Sequence, residues 1–199
     1  MIKTVIFDIG NVLACYDWQG YLKRFNFSEK IRLEIANAVF LNPLWLEFDR
    51  GIMGDQNVKG AMKALLPQYQ SEMDQVLGGM RKLLYEYDFS ALWVKNLKKK
   101  GLKVYVLSNY GKTLFEYARS DFEFLQYIDG GIISYEVHHM KPETQIYELL
   151  LEKYGINPCQ AVFLDDTKSN LPPAEKLGMR TIHVTSHEAA LEGLNKLGI

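Results

Sequence analysis

The chain has little cysteine. Its 199 residues include two, Cys15 and Cys159, which lie far apart in the sequence. Two distant thiols do not make a disulfide framework, so the sequence excludes the small disulfide-stapled class of secreted domains. Both are expected to be small buried hydrophobic side chains. A chain of this length can bury a core without disulfides or structural metals.

Long hydrophobic runs and an excess of one charge are also missing. No stretch approaches about 18 uninterrupted apolar residues, so we expect no membrane span. Asp8 interrupts the first apolar run, which a signal peptide would not tolerate. Lysine and arginine number 23 against 24 acidic residues, a net charge of −1, which gives no basic surface for nucleic acid. We therefore expect a cytoplasmic protein, and the sequence leaves its oligomeric state open.

Four short apolar runs predict buried strands. They occupy residues 4–7, 104–107, 161–164 and 181–184, and a shorter run at 131–134 is a candidate fifth strand. The runs are rich in β-branched and aromatic residues and are separated by helical patterns. Strands that are apolar on both faces are typical of a parallel sheet covered by helices. The predicted fold class is therefore α/β with a Rossmann-like, three-layer parallel-sheet core.

A long helical stretch interrupts this alternation after the first strand. Residues 16–87 show helical periodicity and no convincing strand, including a repeat of apolar residues from Met73 to Leu84. Regular alternation of strands and helices resumes at about residue 89. The sequence thus predicts a catalytic core from residues 1–15 and 88–199, with an α-helical cap from residues 16–87 inserted into it.

The residues that follow the predicted strands carry the candidate chemistry. Ligands of open parallel sheets bind beyond the carboxyl ends of the strands. These positions hold two acidic sites, a hydroxyl with an amide, and a lysine: Asp8, Ser108 with Asn109, Lys141, and Asp165 with Asp166. Converging carboxylates repel one another unless a cation bridges them, and hard oxygen ligands suit Mg²⁺. Lys141 and Ser108 would hold an anionic substrate, and Asp8 could attack phosphorus.

In their order and spacing these residues resemble the haloacid dehalogenase superfamily, in the branch with a helical cap after the first strand. Four motifs carry the resemblance: residues 7–13 (FDIGNVL), 107–109 (LSN), 134–137 (SYEV) with 141–143 (KPE), and 163–166 (FLDD) with Asn170. It covers essentially the whole chain. The first motif is similar to that of sugar-phosphate phosphatases.

The resemblance implies a role for each motif residue. Asp8 would be the nucleophile and a Mg²⁺ ligand, and Gly10 would offer its backbone carbonyl to the metal. Asp166 would be the main further metal ligand. Asp165 would be a second ligand of the metal, either nearer to it or acting through a water molecule. The phosphoryl group of a small phosphomonoester would be bound by Ser108, Asn109 and Lys141, and Asn170 would order the loop.

Gly10 is the departure from the family pattern. Most phosphatases of this family have a second aspartate there, two positions after the nucleophile, which protonates the leaving oxygen and then activates water. Loss of such a group typically costs 10²–10⁴-fold in rate. The substrate could have a good leaving group, such as an anomeric sugar phosphate. Another group, for instance Asp17 or a substrate hydroxyl, could substitute, or the chain could be a weak phosphatase kept for binding.

Three alternatives to a phosphatase remain open. The 2-haloacid dehalogenases of the superfamily also lack the second aspartate and need no metal, but the pair Asp165–Asp166 beside Asp8 favours a site that holds a cation. The other two are a phosphosugar mutase and a weakly active phosphate-binding module. His138 and His139 are expected in an exposed loop near the site. Arg50 is interpreted as a cation at a helix end, and the substrate itself is not predicted.

Overall fold

The computed structural model describes residues 1–199. Its seven strands are, in chain order, β1 (Thr4–Phe7), β2 (Ala14–Tyr16), β3 (Leu84–Glu86), β4 (Lys103–Ser108), β5 (Gly130–Ile133), β6 (Ala161–Asp165) and β7 (Arg180–His183). Its helices are α1 (Trp18–Lys23), α2 (Glu29–Ala38), α3 (Leu44–Arg50), α4 (Asp55–Ala64), α5 (Gln70–Gly78), α6 (Ser90–Lys99), α7 (Lys112–Asp121), α8 (Ser134–Val137), α9 (Thr144–Tyr154), α10 (Leu171–Lys176) and α11 (His187–Lys196). Short 3₁₀ turns join several of them.

The central sheet has five parallel strands in the order β5-β4-β1-β6-β7. β1 is fully buried and pairs with β4 on one side and with β6 on the other, so its carboxyl end lies in the middle of the sheet edge. The five predicted strands are all present, shifted by at most a residue at each end. The predicted α/β fold class with a Rossmann-like parallel core is confirmed.

Helices cover both faces of this sheet, which gives three layers. Along β1, Val5 and Phe7 pack into one apolar cluster, and Ile6 packs into the other. The first cluster includes side chains of α6, α7 and α11, whereas the second is formed with α9 and α10. The alternation follows from the two-residue period of a strand, and it explains why the strands are apolar on both faces.

Between β2 and β3 the chain forms α1 to α5 and contributes nothing to the main sheet. β2 and β3 pair with each other in antiparallel fashion, with Ala14 opposite Glu86. The expectation that residues 16–87 contain no strand is therefore wrong at β3. A strand of three residues paired only with a distant segment leaves no periodic signal in the sequence. The division into core and cap at these boundaries stays a prediction.

The apolar repeat from Met73 to Leu84 is not one helix. α5 ends at Gly78, a 3₁₀ turn follows, and Leu84 begins β3. The Tyr21 hydroxyl donates a hydrogen bond of 2.6 Å to the carbonyl of Val76. If the helix continued, that carbonyl would accept from the N–H of Met80. The helix ends at Gly78 and Gly79, where the Tyr21 hydroxyl packs, although the apolar repeat predicts its continuation.

The two cysteines and the helices can be compared with what the composition predicts. Cys15 is half-buried and Cys159 is exposed, so the expectation of two buried thiols is wrong, and the thiols are free. None of the helices combines the length and the apolar character that a membrane crossing requires.

Candidate active site

Asp8 directly follows β1, at the carboxyl edge of the sheet. Its N–H continues the ladder by donating to the carbonyl of Leu164 at 2.8 Å. Its Oδ1 accepts hydrogen bonds from the Ser108 hydroxyl at 2.6 Å and the N–H of Ile9 at 2.7 Å, and it lies 2.9 Å from the Lys141 ammonium. Oδ2 accepts no hydrogen bond from the protein. The carboxylate is thus held in place with one oxygen free.

Lys141 is the only lysine or arginine that the fold buries, with 4% of the residue exposed. Its Nζ lies 2.6 Å from Oδ2 of Asp165 and 2.9 Å from Oδ1 of Asp8. The Phe163 ring lies beneath it, with 5.5 Å between Nζ and the ring centre. One ammonium therefore bridges the carboxylates at the ends of β1 and β6.

Asn109 holds the backbone of this lysine. Its Oδ1 accepts a hydrogen bond of 2.8 Å from the N–H of Lys141, and its Nδ2 donates to the Lys141 carbonyl at 3.0 Å. Both polar ends of the amide are thus used to position Lys141. The phosphate contact expected of Asn109 stays a prediction.

Asp165 is fully buried, and its oxygens are already satisfied. Oδ1 accepts from the N–H of Thr167 at 2.8 Å, Oδ2 accepts from Lys141, and the Asn170 amide donates to both oxygens at 3.0 Å. Asp165 does not line the cavity described below. These contacts orient Lys141. The bonds from Asn170 to Asp165 are consistent with the expectation that Asn170 orders this loop.

Asp166 differs, because it is half-buried and its carboxylate meets only neutral donors. Oδ2 accepts from the Asn11 amide at 3.1 Å, and Oδ1 accepts from the Thr167 hydroxyl at 3.2 Å. One carboxylate oxygen from each of Asp8, Asp165 and Asp166 lies within 4.8 Å of the others. Hard oxygen donors this close fit Mg²⁺. Asp8 and Asp166 would hold the ion, with Gly10 at the same rim.

Burial and charge set the protonation of the central pair. Burial raises the pKa of Asp8 to about 6, although the Lys141 ammonium and the Ser108 hydroxyl act in the opposite direction. Burial lowers the pKa of Lys141, but Asp8 and Asp165 outweigh it and raise that pKa above its ordinary value. Lys141 is therefore charged, and bringing a cation or a good hydrogen-bond donor to Asp8 favours its ionised form.

A cavity of about 320 Å³ opens above these groups. Its walls come both from the sheet edge and from the segment between β2 and β3: Asp8, Gly10, Asn11, Tyr16, Trp45, Asp49, Leu84, Ser108, Asn109, Tyr110, Leu114, Lys141, Asp166, Thr167 and Asn170. The size suits a small organic molecule rather than a polymer. All predicted site residues except Asp165 reach this cavity.

Several residues weighed from the sequence do not reach it. Asp17, considered as a substitute acid, is exposed, and its Oδ1 caps α1 by accepting from the N–H of Gly20 at 2.7 Å. His138 and His139 lie outside the cavity, and His138 places Nδ1 3.0 Å from the carbonyl of Arg50. The expectation of a loop position for both is consistent with this.

Sequence reasoning missed Asp49 and treated Trp45 as a packing residue only. Both belong to α3 and line the cavity. One available signal for Asp49 was its place in the last turn of a helix, where the dipole disfavours a carboxylate. For Trp45 no such signal exists, because its role depends on how α3 packs on the sheet edge.

Arg50 joins α3 to the loop that carries Lys141. Its guanidinium donates two hydrogen bonds to Glu143, at 2.6 and 3.2 Å, and a third to the carbonyl of His138 at 3.1 Å. Arg50 also lowers the pKa of Glu143 to about 2. The interpretation of Arg50 as a helix-end cation alone is therefore incomplete, since this side chain links the inserted segment to the core.

We expect Arg50→Met to lower the free energy of unfolding by no more than about 1 kcal/mol, because both side chains are partly exposed. The pKa of Glu143 is depressed in the folded state, so the pair stabilises the protein above pH 4.5 and loses this effect as the pH falls towards 2. Urea unfolding of both proteins between pH 7 and 2.5 checks this. Lys196→Met, in an exposed pair with Glu192, is the control. A difference that grows on acidification would contradict the expectation.

Comparison with known proteins agrees with this fold. A family model for haloacid dehalogenase-like hydrolases matches residues 2–178. The D-ribitol-5-phosphate phosphatase of Bacteroides thetaiotaomicron is 25% identical over 195 residues, which cover 91% of each chain. Bifunctional epoxide hydrolase 2 of Mus musculus is 40% identical over 105 residues, 51% of this chain and 19% of that protein. The chain therefore spans only a fraction of the length of such relatives.

A solved structure also shares the fold. It is a HAD family enzyme from Bacteroides thetaiotaomicron in complex with magnesium and inorganic phosphate, with a TM-score of 0.74, 22% identity, and coverage of 91% of this chain and 93% of that chain. The family model spans most of the sequence. The chain belongs to the haloacid dehalogenase-like hydrolase family.

Proposed function

We propose that the protein is a Mg²⁺-dependent phosphatase that hydrolyses a small phosphomonoester, such as a sugar phosphate, through an aspartyl-phosphate on Asp8. The observation that carries this proposal is the arrangement around Asp8. Its carboxylate has one oxygen bound by Ser108 and Lys141 and one oxygen free, with the Asp166 carboxylate beside it.

The charges in the site favour a phosphate ester as substrate. Lys141 is a fixed cation next to Asp8, and Ser108 is a fixed donor there. Both can bind the oxygens of a phosphoryl group as Asp8 attacks phosphorus, and such charge-assisted bonds are the strong ones. Asn109 and Asp165 keep Lys141 in position for this.

Magnesium, when bound, would neutralise the phosphoryl oxygens and reduce their repulsion by the carboxylates. Asp8 and Asp166 are the residues that would hold it, with the carbonyl of Gly10. Without a cation, a phosphate dianion would enter a site with several acidic groups and one lysine. This is why we propose metal dependence rather than the metal-independent dehalogenase chemistry of the same family.

The substrate class rests on the cavity and on a relative. The cavity of about 320 Å³ is lined by Tyr16 and Trp45 as well as by polar groups, which suits a small ester with an apolar or ring-shaped body. One relative that matches most of this chain is named for D-ribitol 5-phosphate. A sugar or polyol phosphate is therefore the proposed class.

The test is a panel of phosphomonoesters assayed for phosphate release with Mg²⁺ and after chelation. We expect turnover only with Mg²⁺, restored by adding the ion back. Chelated protein with full phosphatase activity would overturn the proposed mechanism. Halide release from a 2-haloacid without metal would establish a dehalogenase instead. Isomerisation of a sugar phosphate without phosphate release would indicate a mutase, and phosphate binding without turnover would indicate a binding module.

A further inference from the structure

The proposed phosphatase lacks a side chain at Gly10 to protonate the departing oxygen, and the inference below rests on that proposed function. Any replacement must reach the cavity. Three carboxylates line it, those of Asp8, Asp49 and Asp166. The first is the proposed nucleophile and the third a proposed metal ligand. Asp49 is the carboxyl group left without a role.

Asp49 is held in place from the core. The Ser134 hydroxyl donates a hydrogen bond of 2.6 Å to its backbone carbonyl. The next residue, Arg50, is tied to Glu143. The following one, Gly51, sits against Tyr135, where an added Cβ would lie only 2.9 Å from the Tyr135 Cα atom. These contacts fix the end of α3 against the loop that leads to Lys141.

No ion pair compensates the burial of this carboxyl group. Asp49 is 9% exposed, and none of the ion pairs in the structure includes it. The N–H of Gly111 and the Trp45 side chain act on it, but burial outweighs them and raises its pKa to about 7. A buried carboxyl without a cation costs stability, so an apolar residue would serve packing better. Such a group in a cavity is a candidate for proton transfer.

We propose that Asp49 is the acid and base of the phosphatase reaction, in place of the side chain that Gly10 lacks. As Asp8 forms its bond to phosphorus and the bond to the leaving oxygen breaks, the protonated Asp49 gives its proton to that oxygen, which leaves as the alcohol. Asp49, now a carboxylate, takes a proton from the water that attacks the aspartyl-phosphate. Inorganic phosphate leaves, and Asp8 and protonated Asp49 are restored.

The proposal predicts a selective effect of Asp49→Asn. Alkyl phosphates need a proton on the leaving oxygen, so their turnover should fall by about 10²–10⁴-fold. Aryl phosphates leave as stable anions, so their kcat/KM, which reports only the formation of the aspartyl-phosphate, should fall by less than about tenfold, even though the later hydrolysis of that intermediate loses its base for every ester. The ratio of kcat/KM for an alkyl ester to that for 4-nitrophenyl phosphate is the readout, because it does not depend on the fraction of folded enzyme. Asp17→Asn, which keeps a capping side chain, is the control and should leave the ratio unchanged.

A second variant separates a proton donor from a structural residue. Gly10 has no atom within 4 Å of an added Cβ, and its φ is not in the left-handed region, so an aspartate fits there without backbone strain. In the double variant Gly10→Asp with Asp49→Asn, we expect the alkyl-to-aryl ratio to rise at least tenfold over that of Asp49→Asn. A loss caused by disturbed packing would not be repaired from Gly10.

The outcomes are distinct. An alkyl-to-aryl ratio that Asp49→Asn leaves unchanged, or that Gly10→Asp does not raise, overturns the role of Asp49 while Mg²⁺-dependent phosphate release by the parent protein still supports the proposed function. A parent protein that releases phosphate from neither class of ester overturns both. A selective loss followed by the rescue supports the assignment of Asp49.

Discussion

Asp8→Asn is expected to abolish hydrolysis of every phosphomonoester and to leave the protein folded. Asparagine keeps the size of the side chain, and its Oδ1 can accept the same hydrogen bonds from Ser108, Lys141 and Ile9. It has no carboxylate to attack phosphorus. We expect kcat to fall at least about 10⁴-fold, the scale seen when a covalent nucleophile is removed.

Stability should not suffer from this change. Since burial raises the pKa of Asp8 from 3.8 to about 6, the folded state loses stability as the pH rises from about 3.8 to about 6 and bears the full cost of the ionised carboxylate above that. At pH 7 the neutral asparagine removes that cost, so the Tm should be equal to or higher than that of the parent. Thermal unfolding followed by circular dichroism measures it, with Asp17→Asn as the control.

A fluoride analogue of the phosphoryl group tests directly whether Asp8 is the nucleophile. With Mg²⁺ and beryllium fluoride, the parent protein should bind a fluoride complex at the Asp8 carboxylate, within reach of Ser108 and Lys141, and Asp8→Asn should not. The signal can be followed by fluorine NMR. Phosphate turnover that survives in Asp8→Asn would move the nucleophile to another residue.

Lys141→Met is the second change with a large expected effect, and it acts on stability as well as on turnover. The side chain lies between the buried carboxylates of Asp8 and Asp165, at 2.9 and 2.6 Å. Removing it leaves two buried acids facing each other without a cation. Breaking a buried ion pair in this way typically costs about 3–5 kcal/mol. Phosphatase activity should fall to background, because the cation expected to hold the phosphoryl group is gone.

The pH dependence of that loss tests its cause. Burial already raises the pKa of Asp8 above its unfolded value, and the loss of the Lys141 cation removes the main opposing influence, so protonation of Asp8 stabilises the folded variant. The difference from the parent in urea unfolding should therefore shrink from pH 7 to pH 5. Lys153→Met, at an exposed lysine of α9, should change the free energy of unfolding by less than about 0.5 kcal/mol. A pH-independent deficit in Lys141→Met would point to lost packing on Phe163 instead.

The sheet edge could be predicted from the sequence because two local rules combine there. Apolar runs with β-branched residues identify the strands, and the first polar residue after each run lies at the strand end by the geometry of a parallel sheet. Asp8, Ser108 and Asp165, with Asp166 next to it, are found in this way. Lys141 is found by following the chain beyond the strand end, since a helix and a loop separate it from β5.

The rest of the site depends on contacts between distant segments. Asp49 reaches the cavity because α3 is tied to the core through Ser134 and Glu143, and no periodicity encodes those contacts. α5 ends at Gly78 although the apolar repeat continues, and the Tyr21 hydroxyl, which is far away in the sequence, bonds to its last turn. Single-sequence patterns describe what a segment does alone, so they fail where a tertiary contact decides.

The pairing of β2 with β3 bears on how this enzyme's ancestors could change length. Ala14 and Glu86 lie side by side in the pair, so everything between them leaves the core and returns at one point. Residues can be gained or lost within 17–83 without altering the register of β1, β4 or β6. A single residue inserted into β1 would instead turn Asp8 to the opposite face of the sheet. Evolution can therefore rebuild much of the pocket wall above Asp8, provided that the proposed acid Asp49 keeps its place, while the residues at the sheet edge stay fixed.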